Sequence, residues 1–142
     1  AMDGCFRRNL NGCFRVNRAA MQFMKESGGG VIVNNASVLG WRAQKGQSYY
    51  AAAKAGVMAL TRCAGLEGAE YGVRVNAVAP SLALHPFLHK VTSKELLAEL
   101  EAKEAFGRGS EVWEQANAMI FLASDYSSYM TGEVLSTSSQ RA

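Results

Sequence analysis

Tyr50 and Lys54 lie four residues apart in the run Ser48-Tyr49-Tyr50-Ala51-Ala52-Ala53-Lys54, and Ser37 closes an apolar run thirteen residues upstream of Tyr50. These three side chains can protonate a carbonyl oxygen. On a helix, positions i and i+4 share a face, so the phenol and the ammonium point the same way and the cation can stabilise a phenolate. A phenol of reference pKa about 10 needs such help to work as an acid or base near neutrality. Ser37 supplies a hydroxyl able to hold the same oxygen.

Tyrosine and lysine at this spacing are a weak signal alone, since a solvated lysine beside a half-buried tyrosine is commonplace. The elements around them add weight. Gly30-Val31-Ile32-Val33-Asn34-Asn35-Ala36-Ser37 reads as a buried strand ending in the small polar residues expected where an open sheet meets a ligand. Ala51 to Ala53 keep the helix surface flat, where a flat cofactor could approach. Elsewhere the pattern predicts helices over about 10–26, 48–69 and 111–123, strands over 31–37, 73–79 and 133–137, and a helix capped by Ser93 with Glu95 and Glu99 in its early turns. Residues 81–92 carry Leu82, Leu84, Pro86, Phe87 and Leu88 with no steady period and read as a mobile region. The alternation implies parallel strands joined by right-handed crossovers.

Composition narrows the classes. The 142 residues are 49% hydrophobic and 19% charged, enough to bury one core, and no apolar stretch approaches the roughly 20 residues of a spanning helix. A net charge of +3 is mild, and Arg7-Arg8 with Arg15 and Arg18 suit a solvated helix face or a CoA phosphate better than nucleic acid. No signal peptide is read at the start. Cys5, Cys13 and Cys63 form an odd set without metal spacing and read as reduced packing residues. His85 and His89 could share a helix face, but no third ligand completes a metal site, so none is expected.

Asn9-Leu10-Asn11-Gly12-Cys13-Phe14, Val31 to Gly40, Tyr50 to Gly56, Gly72-Val73-Arg74-Val75-Asn76-Ala77-Val78-Ala79-Pro80, Phe121 to Asp125 and Thr131-Gly132-Glu133 together resemble the short-chain dehydrogenase/reductase family. From Gly29 to Ala64 and Pro80 to Ser139 the wording is closer still to actinobacterial reductases of acyl-CoA intermediates in steroid ring breakdown. The resemblance implies Asn9, Ser37, Tyr50 and Lys54 as catalytic positions. It implies NAD or NADP held by Tyr50, Lys54, Pro80, Ser81 and His85, and a bulky substrate against Ser37, Leu39, Trp41, Tyr50 and Phe87. It also implies that Lys54 lowers the Tyr50 pKa by its charge, that Asn9 holds a water, and that 81–106 forms a substrate loop and lid helix. A cytoplasmic homodimer or homotetramer without nucleic-acid or membrane partners follows from the same likeness.

The resemblance covers the second half of the family's α/β, doubly wound parallel sheet, read here as a single partial domain over 1–142 with the N-terminal half missing. No G-x-G-x-x-G turn opens a strand-to-helix unit; Gly28-Gly29-Gly30 precedes a strand and reads as a helix stop. The strand at 31–37, apolar on both faces, calls for a neighbour. Residues 1–8 fit the family poorly, and Gly4-Cys5-Phe6-Arg7-Arg8-Asn9 echoes Gly12-Cys13-Phe14-Arg15-Val16-Asn17. Ser81 stands where the family has glycine, His85 where it has threonine, and Ser136-Thr137-Ser138-Ser139 replaces Asp-Gly-Gly, read as without mechanistic meaning. The competing reading is a non-enzymatic interaction module pairing through its long helices.

Overall fold

The structure, a computed structural model, describes residues 2–140. Helix α1 (Met2–Phe6) runs through a π-helical turn (Arg7–Asn11) into α2 (Gly12–Ser27), and strand β1 (Gly30–Asn35) follows. A 3-10 turn (Val38–Gly40) leads to α3 (Ser48–Gly68), then β2 (Val73–Pro80). The chain continues through β3 (Ala83–Leu84), α4 (Pro86–Val91), α5 (Lys94–Glu101), β4 (Ser110–Glu111), α6 (Val112–Ala123) and β5 (Val134–Thr137). The strands form a parallel three-stranded sheet ordered β1-β2-β5, and β3 pairs with β4 in a separate parallel pair. The α/β fold class and the parallel sheet expected from the alternation are both present.

Alternation along β2 divides the core into two layers. Val73, Val75, Ala77 and Ala79 pack with Ile32, Val57, Met58 and Ala64, under α2 and α3. Arg74 and Asn76 face the other way. The Arg74 guanidinium donates to the carbonyls of Leu122, Ser124 and Ser127, and the Asn76 amide donates to Met130 O, so polar side chains tie α6 and its following turn to the second face. Gly28 ends α2 in the left-handed region (φ 90°), as the glycine run leads one to expect.

Three expectations change. Residues 2–9 continue the helix predicted to start near 10, with the π turn replacing a start; a wide turn keeps backbone bonds formed where an amphipathic pattern breaks phase. Residues 81–92, read as having no steady period, hold β3 and α4: His85 Nδ1 accepts from Leu88 N at 3.2 Å and Pro86 occupies the first turn of α4, while Ser93 Oγ caps α5 through Leu96 N, as its position predicts. Strand β1 is less apolar than its sequence suggests, because Asn34 turns inward.

Asn34 is buried between α2 and α3. Its amide donates to Asn17 Oδ1 (3.1 Å) and Thr61 Oγ1 (3.0 Å), and its oxygen accepts from Asn17 Nδ2 (2.8 Å). Each polar group is satisfied, so the cluster stabilises rather than penalises the core. Asn34→Leu removes the donor to buried Asn17 Oδ1 and leaves the Asn17 amide and the Thr61 hydroxyl with only their bonds to Cys13 O and Val57 O, and urea unfolding is expected to show a loss of about 2 kcal/mol. A loss below about 0.5 kcal/mol would mean that water reaches the cluster.

The start of α6 carries the clearest ionic feature. Arg108 donates through both Nη atoms to Glu114, each bond 2.8 Å, and Glu114 Oε2 accepts from Glu111 N at 2.8 Å. The Arg108 hydrogen bond, then the Glu111 amide, hold the Glu114 carboxyl down at about 2. A depressed carboxyl contributes its stability above the unfolded value near 4.5 and loses it as pH falls through the folded value, so the contribution fades between pH 4.5 and 2. Arg108→Ala is expected to move the Glu114 NMR titration back toward the ordinary carboxylate range. An unmoved midpoint would assign the depression to the Glu111 amide instead.

Candidate active site

The parallel sheet brings the carboxyl ends of β1 and β2 together, the place where open α/β sheets bind ligands. Ser37 sits two residues beyond β1, extended (φ −168°) and buried, with its Oγ accepting from Leu39 N at 3.2 Å. That bond caps the 3-10 turn and aims the serine toward α3. Tyr50 lies in the first turn of α3, half-buried and near enough to Ser37 for that side chain to act on its phenol. One turn on, buried Lys54 donates through Nζ to Asn35 O at 2.7 Å, and its ammonium stands 5.6 Å from the centroid of the Tyr50 ring.

Burial pushes the Tyr50 pKa up, against a smaller lowering from the Ser37 hydrogen bond, and burial pushes the Lys54 pKa down. The expected lowering of the phenol by Lys54 is therefore not seen. Desolvation sets the direction for the phenol, and the Lys54 ammonium is held at the Asn35 carbonyl. Tyr50 stays protonated at neutral pH.

Asn9 lies within the π turn rather than capping a helix, and its Nδ2 donates to Cys5 O (3.1 Å) and Cys5 Sγ (3.3 Å). Leu10 fills the space over Gly56, where a Cβ would meet its methyls at 2.9 Å, so the turn carrying Asn9 rests against α3 just past Lys54. Cys5 and Cys13, read from sequence as packing residues, both stand close enough to act on the Lys54 charge, and Cys5 also acts on Tyr50. Cys5 is a site neighbour that sequence reasoning missed. Its buried position in residues set aside as outside the family left no signal except the echo of Cys13.

The remaining positions divide. Pro80 and Ser81 lie at the carboxyl end of β2, with Ser81 N donating to Thr137 O at 3.4 Å. Leu39 and Trp41 line one hollow with Ala51 and Ala52; Trp41 is 43% exposed, and Ala53 is fully buried, so only part of the alanine face is open to a ligand. Phe87 is 66% exposed with its ring centroid 6.3 Å from that of His85, and His85 serves as a helix cap. Among the described residues, no group of three or more His, Cys, Asp or Glu is placed to hold a metal ion. No helix among them is long and apolar enough to cross a membrane.

The donor set suits a nicotinamide nucleotide. Lys54 uses one of its three ammonium protons on Asn35 O, leaving donors for ribose hydroxyls, and Pro80-Ser81 supply backbone at the adjoining strand end.

Comparison with known proteins agrees. Residues 1–139 match the family model described as enoyl-(acyl carrier protein) reductase, so the match includes the first eight residues set aside above. The chain belongs to the short-chain dehydrogenase/reductase family. It is 65% identical over 133 residues to the (5R,7aS)-5-hydroxy-7a-methyl-1-oxo-2,3,5,6,7,7a-hexahydro-1H-indene-carboxyl-CoA reductase of Mycobacterium tuberculosis, covering 93% of this chain and 51% of that protein. A short chain dehydrogenase from Mycobacterium smegmatis superposes with a TM-score of 0.81 at 54% identity, over 99% of this chain and 50% of that one. A 7α-hydroxysteroid dehydrogenase, solved with NADH and 7-oxo glycochenodeoxycholic acid, superposes with a TM-score of 0.86 at 28% identity, over 92% and 53%. The chain spans about half the length of the curated relatives it matches.

Proposed function

We propose that this chain carries the proton-transfer half of an NAD- or NADP-dependent oxidoreductase that interconverts a ketone and a secondary alcohol on a CoA-linked, bicyclic or steroid-derived acid. The observation that carries the reading is the packing of Ser37, Tyr50 and buried Lys54 at one strand end. The substrate class rests on likeness to the mycobacterial indene-carboxyl-CoA reductase, and a cytoplasmic homodimer or homotetramer on likeness to the family.

The Ser37 hydroxyl holds the substrate oxygen and the protonated Tyr50 donates to it as negative charge develops. Lys54 faces the departing proton's site across the ring and stabilises the phenolate as it forms, while Asn35 O keeps the ammonium in place. Lys54, with Pro80 and Ser81, would hold the nicotinamide, which when bound would supply or accept the hydride. Asn9 holds a water beyond Lys54. Because reduction needs the phenol and oxidation the phenolate, the raised Tyr50 pKa predicts that reduction holds through neutral pH. Alcohol oxidation should climb steadily from pH 7 to 10, and a pH-independent oxidation rate would remove Tyr50 from the proton step.

The test compares the 142-residue chain with a chimera bearing the upstream half of the Mycobacterium tuberculosis relative. Each is titrated with NADH and NADPH by nicotinamide fluorescence and assayed with a bicyclic ketone linked to CoA. The chimera is expected to bind one nucleotide and turn over the ketone. A folded chimera that binds neither nucleotide sinks the reading.

A further inference from the structure

Ser138, Ser139 and Gln140 leave the sheet at β5, and Gln140 meets Arg42, five residues past Ser37. Ser138 Oγ accepts from Gln140 N at 3.0 Å and donates to Gln140 O, so the three residues fold into a bend as they leave β5. That bend joins the loop after β1, through Arg42, to the segment after α5, through Glu104.

It is held from both sides. Arg42 donates through Nη1 to Gln140 Oε1 (2.5 Å) and through Nη2 to Gln140 O (3.0 Å), while its buried Nε has no partner, so the guanidinium is committed to the tail. From the other side comes Glu104, a carboxylate 5% exposed in the segment after α5. Its Oε2 accepts from Ser139 Oγ (2.6 Å), and its Oε1 accepts from Gln140 Nε2 (2.7 Å) and, at 3.5 Å, from Leu82 N at the start of the 81–106 segment. A buried carboxylate is tolerated only with such partners, and losing them is costly. Thr137 anchors the root of the tail, its hydroxyl donating to buried Gln115 on α6.

We propose that residues 138–140 are a strap that fixes the 81–106 segment to the loop carrying Ser37 and Arg42, with Glu104 and Arg42 as its positioning residues. The strap, through Ser138 and Ser139, forms one wall of a cavity of about 330 Å³ that Ser81, Phe106 and Arg108 also line. The non-reacting part of the substrate lies against that wall, a point that rests on the reductase reading above. The serine-rich ending, read from sequence as without mechanistic meaning, supplies the hydroxyl that Glu104 grips.

Amide hydrogen exchange of the 142-residue chain tests the strap independently of any activity. Glu104→Ala and Arg42→Ala are each expected to speed exchange over 82–106 at least tenfold, with amides of β2 and the middle of α3 unchanged. Glu104→Gln, which keeps an acceptor toward Leu82 and Gln140 and a donor toward Ser139, should stay within about threefold of the parent. Unchanged exchange over 82–106, an increase spread equally through β2 and α3, or equal effects of Gln and Ala would each overturn the proposal. In the chimera, Glu104→Ala is expected to raise KM for the ketone at least fivefold with kcat within twofold. A fall in kcat alone overturns the substrate wall. A chimera without turnover counts against the reductase reading, and the exchange result still decides the strap.

Discussion

Tyr50→Phe, in a chimera that turns over ketone, is expected to lower kcat by about a thousandfold while nucleotide binding is retained. General acid catalysis contributes roughly 10²- to 10⁴-fold, so loss of the proposed general acid costs about 4 kcal/mol of barrier. The structure argues for a clean effect. Tyr50 is half-buried in the first turn of α3, and phenylalanine keeps its ring and every packing contact. Ser37 beside it keeps its own bond, its Oγ accepting from Leu39 N. Lys54 keeps its bond to Asn35 O, so the group expected to hold ribose stays in place. Fluorescence titration and steady-state kinetics on the same preparation separate the two effects. A variant that keeps more than a tenth of the parent kcat would show that another group delivers the proton. One that loses binding and turnover together would make Tyr50 a cofactor contact first and an acid second.

Gly65→Val is expected to destabilise the fold by about 3 kcal/mol in urea unfolding. A Cβ at Gly65 would stand 2.4 Å from Gly132 N and 2.6 Å from Gly132 Cα, which are backbone atoms with no rotamer to escape into. Gly132 N in turn donates to Val75 O at 2.7 Å, and Thr131 Oγ1 donates to Gly65 O while accepting from Val75 N. Any side chain at 65 therefore pushes the turn that delivers β5 to the edge of β2. Overpacking typically costs 1–3 kcal/mol, and here it falls on immobile backbone, at the upper end. Gly65→Ala should cost less, because alanine regains about 1 kcal/mol of helix propensity. Leu66→Ala, one residue away and 79% exposed, is the control and should change stability by less than about 0.5 kcal/mol. Should Gly65→Ala raise stability, helix propensity would outweigh the clash and α3 would not approach the turn so closely.

Much of this protein was readable from local pattern. The 48–69 helix, the strands near 31–37 and 73–79, the glycine stop at Gly28 and the Ser93 cap rest on periodicity, turn chemistry and caps, all set by residues a few positions apart. The pairing of Tyr50 with Lys54 is of the same kind, since a helix alone places them on one face. That Ser37 reaches the Tyr50 hydroxyl depends on β1 ending beside the start of α3, which the strand-to-helix order already suggested.

What the tertiary structure alone decided involves partners far apart in the chain. Asn34, Asn17 and Thr61 meet only when β1, α2 and α3 pack, and an asparagine in a strand pattern does not show whether it faces water or a matching amide. The Tyr50 and Lys54 pKa shifts follow from burial, a property of everything packed around them, so charge spacing pointed the wrong way for the phenol. Cys5 beside the site and Glu104 gripping the C-terminal tail were invisible for the same reason: side-chain type declares which bonds a residue can make, and only the folded chain selects the partner that receives them.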